Sequence, residues 1–165
     1  MSGKPSRIHV PPRGTRGDRI TGGLMMWLAR PFFQRQASRY QKATGAEPQM
    51  FNGFPVLVLT TVGAKSGKER THVLGGFPDG HNAWLIVASK GGSASHPGWF
   101  HNLATNPDQV WVQVGNRKFK AAVQSLVGHD REEAYARVAK AAPVYGGYPK
   151  KTDREIPVLR ITPEA

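Results

Sequence analysis

The chain has 165 residues and no cysteine, and its 23 Lys and Arg residues against 11 Asp and Glu residues give a formal net charge of +12. The length suits one domain, and the lack of cysteine excludes a disulfide framework and thiolate metal ligands. Such an excess of positive charge attracts anions, which could be nucleic acid, lipid headgroups or an anionic small molecule, and charge alone does not choose among them.

The first part of the chain is basic. Residues 1–22 are rich in Pro, Gly and Arg and predict a flexible basic arm. Residues 23–45 carry apolar residues at helical spacing and predict an amphipathic helix, with Pro31 marking a kink or the start of a second helical piece. This helix could pack on the domain, or residues 1–45 could make peripheral contact with a membrane. Its apolar side consists of Trp27, Phe33, Ala37 and Tyr40.

No apolar run reaches the roughly 20 residues that span a bilayer, and the N-terminus lacks the apolar segment of a signal peptide. We therefore expect a cytoplasmic protein, with membrane-peripheral location as the alternative.

Residues 46–165 change to short β-rich runs separated by turns, which predicts a small antiparallel barrel with two or three helices. The first three runs should form a meander, with Asp79-Gly80 as the hairpin between the second and third. The fourth and fifth runs should pair across Gly115-Asn116. The six predicted strands cover residues 55–62, 70–77, 83–89, 109–114, 117–127 and 156–162.

Two helices are predicted inside this region. The first covers residues 97–105, with Pro97 in its first position and Ser95 or His96 as its cap. The second covers residues 130–142. Residues 144–155 are expected to be a loop.

The turn VGAKSGKER carries cations around two glycines and a serine. Lys65, Lys68 and Arg70 can supply charge-assisted hydrogen bonds, and the glycines let backbone amides face an anion. The turn is therefore either an anion site or a solvated hairpin.

A second anion-friendly stretch, SKGGSASHPGWFHN, follows the third predicted strand. Lys90 adds a cation, the glycines that follow it allow close backbone approach, and the helix after His96 begins with free amides. Trp99 in the first helical turn offers a flat apolar surface, unless it packs in the core. Together the two stretches suit a ligand with an aromatic ring system and an anionic tail.

Three blocks, LTTVGAKSGKER, VASKGGSASHPGWFHNLATNP and YGGYPKKTDREIPVLRI, together resemble the deazaflavin-dependent nitroreductase family of actinobacteria. The resemblance runs from Phe54 to Thr162. It implies a split β-barrel of mainly β structure with α-helices, and reduced coenzyme F420 as the hydride donor. The acceptor would be an activated C=C bond, a quinone or a nitro compound.

The resemblance also implies roles for individual residues. The phosphate and oligoglutamate tail of the coenzyme would be bound by Lys65, Ser66, Arg70 and Lys90. The ring and chain would be contacted by Ser89, Gly91, Pro97, Trp99 and Asn102. Substrate positioning or proton delivery would fall to Tyr145, Tyr148 and Ser89.

Three positions depart from the family pattern. Ala64 stands where relatives often have arginine, so one contact to the tail is missing. Gly75 and Ala142 stand where some nitro-reducing relatives have pocket tyrosines. These departures count against nitro-compound reduction in particular.

Other interpretations stay open at this level. FMN could replace F420 in the same barrel, or the chain could be a non-catalytic basic module that binds nucleic acid or anionic lipid. Specific nucleic-acid binding is not expected, because the basic residues lack interleaved aromatics and no helix carries a recognition stripe. No histidines have the spacing of metal ligands, so we expect satisfied or exposed histidines and no metal. A homodimer is a further expectation.

Overall fold

The computed structural model describes residues 8–18 and 23–165, apart from the side chains of residues 23–27, 29 and 30. These residues form eight strands and four α-helices. The strands are β1 (Gln49–Phe51), β2 (Phe54–Val62), β3 (Glu69–Gly75), β4 (Phe77–Pro78), β5 (Trp84–Val87), β6 (Val110–Val114), β7 (Arg117–Leu126) and β8 (Val158–Pro163). The helices are α1 (Gly23–Gln41), α2 (Gly98–Thr105), α3 (Gly128–Ala141) and α4 (Val144–Lys151).

The strands form one curled antiparallel sheet in the order β1-β2-β6-β7-β8-β5-β4, with β3 paired to the other side of β2. The first half of β7 pairs with β6 and its second half pairs with β8, so this long strand joins two half-sheets. The predicted antiparallel split barrel is confirmed.

The two faces of the curled sheet bury two apolar clusters. The barrel interior contains the β2 residues Leu57 and Leu59 together with Trp84 and Ile86 of β5. The other cluster lies where α3 and α4 cover the opposite face of β5, and it contains Leu85 and Val87. Period-2 alternation along β5 thus sends successive side chains into different layers.

The predicted meander is wrong in one respect. β3 ends at Gly75 and pairs only with β2, and the short strand β4 pairs with β5. The Gly76 amide donates to the Pro55 carbonyl at 3.0 Å, and a Cβ on Gly76 would lie 2.5 Å from a Leu57 methyl carbon. The chain therefore crosses tightly from one half-sheet to the other, which only glycine permits. The hairpin at Asp79-Gly80 is confirmed between β4 and β5.

The expected loop over residues 144–155 is wrong, because most of it is helix α4, with Pro149 inside. Two glycines and a proline weaken helix propensity. Tertiary contacts outweigh this: the Tyr135 hydroxyl donates to the Tyr145 carbonyl at 2.6 Å, and the Tyr145 ring packs edge-on against Phe77.

Residues 8–18 run along the barrel, and we call them the N-terminal strap. Ile8 is buried in the barrel core. The Gly14 amide donates to the Ala94 carbonyl at 2.9 Å, and the Asp18 amide donates to the Gly92 carbonyl at 3.0 Å. The strap therefore has a defined position, in contrast to the flexible arm that its composition predicts. The other positions of residues 1–22 lie outside the described residues.

Helix α1 confirms the predicted N-terminal helix and contains Pro31 within a single element. Ala37 is buried and Tyr40 is half-buried, as predicted, but Phe33 is 47% exposed and does not belong to the packed side. The side chain of Trp27 lies outside the described residues. Among the helices of the described residues, none combines the length and the apolar character needed to cross a bilayer.

Candidate functional site

Strand directions bring the two predicted anion-binding stretches to one end of the barrel. Each neighbouring pair along β2, β6, β7, β8 and β5 is antiparallel, so β2 and β5 run in the same direction. Residues 63–68, the basic turn, follow the end of β2. Residues 88–97, the strand-end loop, follow the end of β5. Both therefore leave the barrel at the same end, where α2 also lies. Helix α4 contacts the strand-end loop at Tyr148 and Lys151, whereas its Tyr145 ring packs on Phe54 at the start of β2.

The basic turn is closed by its own backbone. The Gly63 amide donates to the Lys68 carbonyl at 2.8 Å, and the Gly67 amide donates to the Gly63 carbonyl at 2.9 Å. The Ser66 hydroxyl oxygen accepts from the Lys68 amide at 3.2 Å and keeps its own proton to donate. Lys65 and Lys68 are exposed, and Arg70 at the start of β3 is half-buried. The turn thus presents cations to solvent.

Asn102 of α2 fastens this turn to the helix. Its side-chain oxygen accepts from the Ala64 amide at 3.0 Å, and its side-chain nitrogen donates to the Thr61 hydroxyl at 3.4 Å. Asn106 adds a hydrogen bond to the Val62 carbonyl at 3.2 Å. Both polar atoms of Asn102 therefore position the turn, whereas the resemblance implied that this residue packs on the coenzyme.

Helix α2 begins differently from the prediction. Pro97 occupies the N-cap position, so the helix begins at Gly98, one residue later than expected, and no side chain caps it. Ser95 instead accepts a hydrogen bond from the Lys90 ammonium at 2.8 Å. The candidate cap is therefore occupied in fixing a lysine of the strand-end loop.

The strand-end loop has an unusual backbone. Lys90 has φ of 44°, and Gly91 and Gly92 follow with φ of 61° and 82°. A lysine in this region is strained and needs support from its surroundings. Burial, and then the positive charges of Arg154 and Arg13, lower the pKa of Lys90. The residues expected to contact the coenzyme thus include a lysine with a left-handed backbone conformation.

Arg154, which our interpretation of the sequence did not include, lies buried beneath this loop. Its guanidinium donates to the carbonyls of Ser93 at 2.7 Å, Ser89 at 2.8 Å and Ala88 at 3.1 Å. It also contacts Nδ1 of His96 at 3.1 Å. In the sequence the only signal is a basic residue two positions before Ile156, where the apolar run that leads into β8 begins.

Trp99 does not offer the exposed flat surface that we predicted. It is 6% exposed and belongs to the barrel core, together with Phe100 and Leu103 of the same helix. The apolar side of α2 faces the barrel, so the indole anchors the helix.

Tyr145 and Tyr148 of α4 lie together, with ring centroids 5.3 Å apart. A Cβ on Gly75 would lie 2.6 Å from the Tyr145 hydroxyl, so Tyr145 fills the space beside that position. A Cβ on Gly92 would lie 3.2 Å from the Tyr148 carbonyl, which places α4 against the strand-end loop. Burial, and then the neighbouring tyrosines, raise the pKa of Tyr145, so its hydroxyl keeps its proton at neutral pH.

His72 departs from the expectation of satisfied or exposed histidines. It lies opposite Leu59 on the barrel-facing side of β3 and is half-buried. Its Nδ1 atom is buried and has no hydrogen-bond partner among the described residues. Burial, and then the positive charge of Arg70, lower the pKa of His72.

Two surface grooves lie elsewhere. One of about 410 Å³ runs over β2, β6 and β7 beside Trp111, and one of about 550 Å³ follows α1 beside Arg35. The candidate tyrosines and the strand-end loop line neither groove. The candidate site at the barrel end therefore rests on the chemistry of its residues.

The donor set at this end fits a deazaflavin coenzyme. The lysines and Arg70 suit phosphate and carboxylate groups, and the positive-φ stretch of the strand-end loop lets backbone amides approach a ligand closely. The tyrosines of α4 supply an aromatic wall. No group of three or more His, Cys, Asp or Glu residues that could bind a metal occurs within residues 8–18 and 23–165.

Comparison with known proteins agrees with this geometry. A family profile described as F420H(2)-dependent quinone reductase matches residues 32–163. An F420H(2)-dependent quinone reductase of Mycobacterium tuberculosis is 42% identical over 113 residues, which are 66% of this chain and 73% of that protein.

Two solved structures are similar to the chain as well. One is described as an F420-H2 dependent reductase; it is 39% identical with a TM-score of 0.59, and the match covers 65% of this chain and 93% of that one. The other is described as a domain-swapped dimer; it is 32% identical with a TM-score of 0.61, and the match covers 84% of this chain and 99% of that one.

Proposed function

The chain belongs to the F420H(2)-dependent quinone reductase family, and we propose that it transfers hydride from reduced coenzyme F420 to a quinone. Membership confirms the family resemblance, the reductase class and the F420 cofactor that the three sequence blocks implied. Activated C=C bonds and nitro compounds are further proposed acceptors, with nitro compounds the weakest because Gly75 and Ala142 replace tyrosines.

The observation that carries this proposal is the convergence of the basic turn and the strand-end loop. Both follow parallel-running strands, and α2 connects them, since Asn102 binds the turn while the loop leads directly into the helix. Two cationic stretches at one barrel end provide a site for a long anionic tail beside the residues that would contact the ring.

The chain would bind and orient both reactants. Lys65, Arg70 and Lys90 would neutralise the tail, and the strand-end loop would contact the edge of the ring. When bound, reduced F420 supplies a hydride. Tyr145 and Tyr148 would orient the quinone, exclude water and donate a hydrogen bond to its oxygen. The quinone gains one hydride and one proton and becomes a hydroquinone.

The test is a titration of the full-length protein with F420, in which binding is measured by the change in coenzyme fluorescence. We expect saturable binding at micromolar concentration, weakened about tenfold in a Lys65→Ala/Arg70→Ala variant because two charge-assisted contacts are lost. Lys118→Ala removes an exposed cation from β7 and should leave binding unchanged. A wild-type protein that shows no saturable binding, or that carries FMN instead, contradicts the proposal.

Helix α1 has an exposed apolar face that suggests a binding partner. Leu28 and Phe32 are 60% and 66% exposed one helical turn apart, and Phe33 beside them is 47% exposed. We propose that a second copy of the chain covers this face in a homodimer; peripheral contact with an anionic membrane is the alternative. Light scattering on the wild type and on Leu28→Glu/Phe32→Glu should show a dimer and a monomer, respectively. If the wild type instead sediments together with anionic liposomes, the result would favour peripheral membrane contact over the homodimer.

A further inference from the structure

We propose that Arg154, together with His96, is a positioning residue that orients the strand-end loop for the coenzyme before the coenzyme binds. This inference rests on the proposed function. It assigns no contact between Arg154 and either reactant.

Arg154 directs its donors at the underside of one loop. Its fork binds the carbonyls of Ala88, Ser89 and Ser93, and the side chain is only 6% exposed. Among the described residues, no carboxylate forms an ion pair with it. A buried cation without a counter-ion is costly, and here several carbonyl dipoles compensate it. Backbone carbonyls that all point at one guanidinium are thereby fixed in direction.

The direction of these carbonyls determines the direction of the next amides. In a trans peptide the C=O of one residue and the N–H of the following residue point to opposite sides. Since the Ala88 and Ser89 carbonyls point toward Arg154, the amides of Ser89 and Lys90 point away from it. The hydrogen bonds that close the adjacent turn are made by the amides of Gly92 and Ser93, so the amides of Ser89 and Lys90 are not used there. Two successive donors therefore face the opposite side of the loop.

His96 extends this arrangement to the N-terminal strap. A guanidinium can only donate, so Nδ1 of His96 accepts from Arg154 and Nε2 carries the proton. Nε2 then donates to the Pro11 carbonyl at 2.7 Å. The strap thus selects the histidine tautomer that can accept from Arg154. The ammonium of Lys90 adds a hydrogen bond within the loop, to the Ser95 hydroxyl at 2.8 Å.

The first experiment compares Arg154→Lys with Arg131→Lys. Arg131 is a matched control, because it is half-buried and donates two hydrogen bonds to the Ile156 carbonyl without touching the strand-end loop. We expect Arg154→Lys to weaken F420 binding about tenfold, since lysine lacks the fork that orients several carbonyls. At saturating coenzyme, kcat and the KM for the quinone should stay within about threefold of wild type. Arg131→Lys should bind F420 like the wild type.

A second readout needs no coenzyme. Hydrogen exchange of the hydrogen-bonded loop amides, those of Ala88, Gly92 and Ser93, should accelerate in Arg154→Lys and not in Arg131→Lys. His96→Phe should resemble Arg154→Lys, whereas His96→Gln, which can accept and donate at the same two places, should restore slow exchange. If Arg154→Lys does not fold, the comparison of His96→Phe with His96→Gln still tests the positioning role.

The outcomes separate this inference from the function on which it rests. A wild type that does not bind F420 contradicts the proposed function, whatever the exchange data show. A wild type that binds F420, with folded Arg154→Lys and His96→Phe variants that bind equally well or exchange equally slowly, overturns the positioning role. A loss of affinity in Arg131→Lys equal to that in Arg154→Lys would also overturn it, because general destabilisation would then explain both.

Discussion

The side-chain oxygen of Asn102 accepts a hydrogen bond from the Ala64 amide at 3.0 Å, so α2 and the basic turn are fixed to each other. Replacing Asn102 by Leu removes this bond and the contact with Thr61. We expect F420 affinity to fall about fivefold, because the net value of a hydrogen bond is about 1 kcal/mol. Asn116→Leu is the control: Asn116 bonds the Thr44 carbonyl from the β6–β7 turn, at the other end of the barrel. Equal losses in both variants would contradict the assignment.

A second prediction concerns Asp79, which joins the β4–β5 hairpin to its neighbours. Its carboxylate accepts from Arg160 of β8 at 2.5 Å and from Arg137 of α3 at 2.6 Å. Burial acts to raise the pKa of Asp79, but the hydrogen bonds from Arg160 and Arg137 outweigh it and lower the pKa. Asp79→Asn should cost about 2 kcal/mol of unfolding free energy and about 4–8 °C in Tm, measured by thermal unfolding.

The control for this change is Glu164→Gln, which breaks an exposed ion pair with Lys120 at 3.3 Å. An exposed pair contributes less than about 1 kcal/mol, so Tm should change little. A smaller effect for Asp79→Asn than for Glu164→Gln would show that the Asp79 cluster does not stabilise the fold.

A third prediction concerns the space between Gly75 and Tyr145. Gly75→Ala places a methyl group 2.6 Å from the Tyr145 hydroxyl. We expect a loss of about 1–3 kcal/mol of unfolding free energy from overpacking, together with a changed KM for the quinone as Tyr145 shifts. Tyr145→Phe removes the clashing atom, so the double variant should be more stable than the sum of the single effects predicts. Strict additivity in chemical denaturation would contradict this contact.

A fourth prediction concerns Asp153, which binds the N-terminal strap. It accepts from the amides of Thr15 and Arg16, both at 2.9 Å, and from the Thr15 hydroxyl. The hydrogen bond from the Thr15 hydroxyl, and then those from the backbone, lower the pKa of Asp153 to about 2. Because the folded pKa lies below the ordinary 3.8, the contact stabilises the strap above pH 3.8 and is lost as pH falls toward 2.

Hydrogen exchange of the Thr15 and Arg16 amides between pH 3.8 and 2 measures the release of the strap from Asp153. The rates are corrected for the intrinsic pH dependence of exchange. In Asp153→Ala, which removes the acceptor oxygens, these amides should be unprotected already at neutral pH. Protection that persists in Asp153→Ala would mean that other contacts hold this part of the strap.

The fifth prediction concerns histidine protonation. Burial lowers the pKa of both His72 and His96, and the charges of Arg70 and Arg154 respectively act in the same direction. The hydrogen bond to the Pro11 carbonyl raises the pKa of His96 but does not outweigh burial. A folded pKa below 6.5 means that the unfolded chain binds protons more readily, so stability is present above pH 6.5 and is lost as pH falls below it. Denaturant unfolding at a series of pH values should show this loss. It should be smaller in His96→Gln, and an unchanged slope would contradict the role of His96.

Much of the fold was predictable from local patterns. Hydrophobic runs bounded by turn residues predicted most of the strands, and Asp79-Gly80 and Gly115-Asn116 predicted their hairpins because short turns have strict backbone requirements. The pattern did not predict the break after Gly75 or helix α4. In both places a contact far away in the chain decides the structure: Leu57 at Gly76, and the apolar cluster around Phe77 at Tyr145.

The candidate site was likewise predictable only in part. Its location followed from two cationic, glycine-containing stretches, because such stretches have an intrinsic affinity for anions. The roles of several residues did not follow. Trp99 turned inward, Asn102 binds the basic turn, and Arg154 organises the loop from below.

The sequence by itself determined the family, the cofactor class and the chemistry of the anion-binding stretches, since these depend on residue types at short spacing. Only the tertiary structure decided which way the carbonyls of the strand-end loop point and why the N-terminal strap has a place on the barrel. Both depend on Arg154 and His96 meeting residues that lie 58 or more positions away in the chain. Partnerships at that separation are set by the folded chain and leave no local pattern.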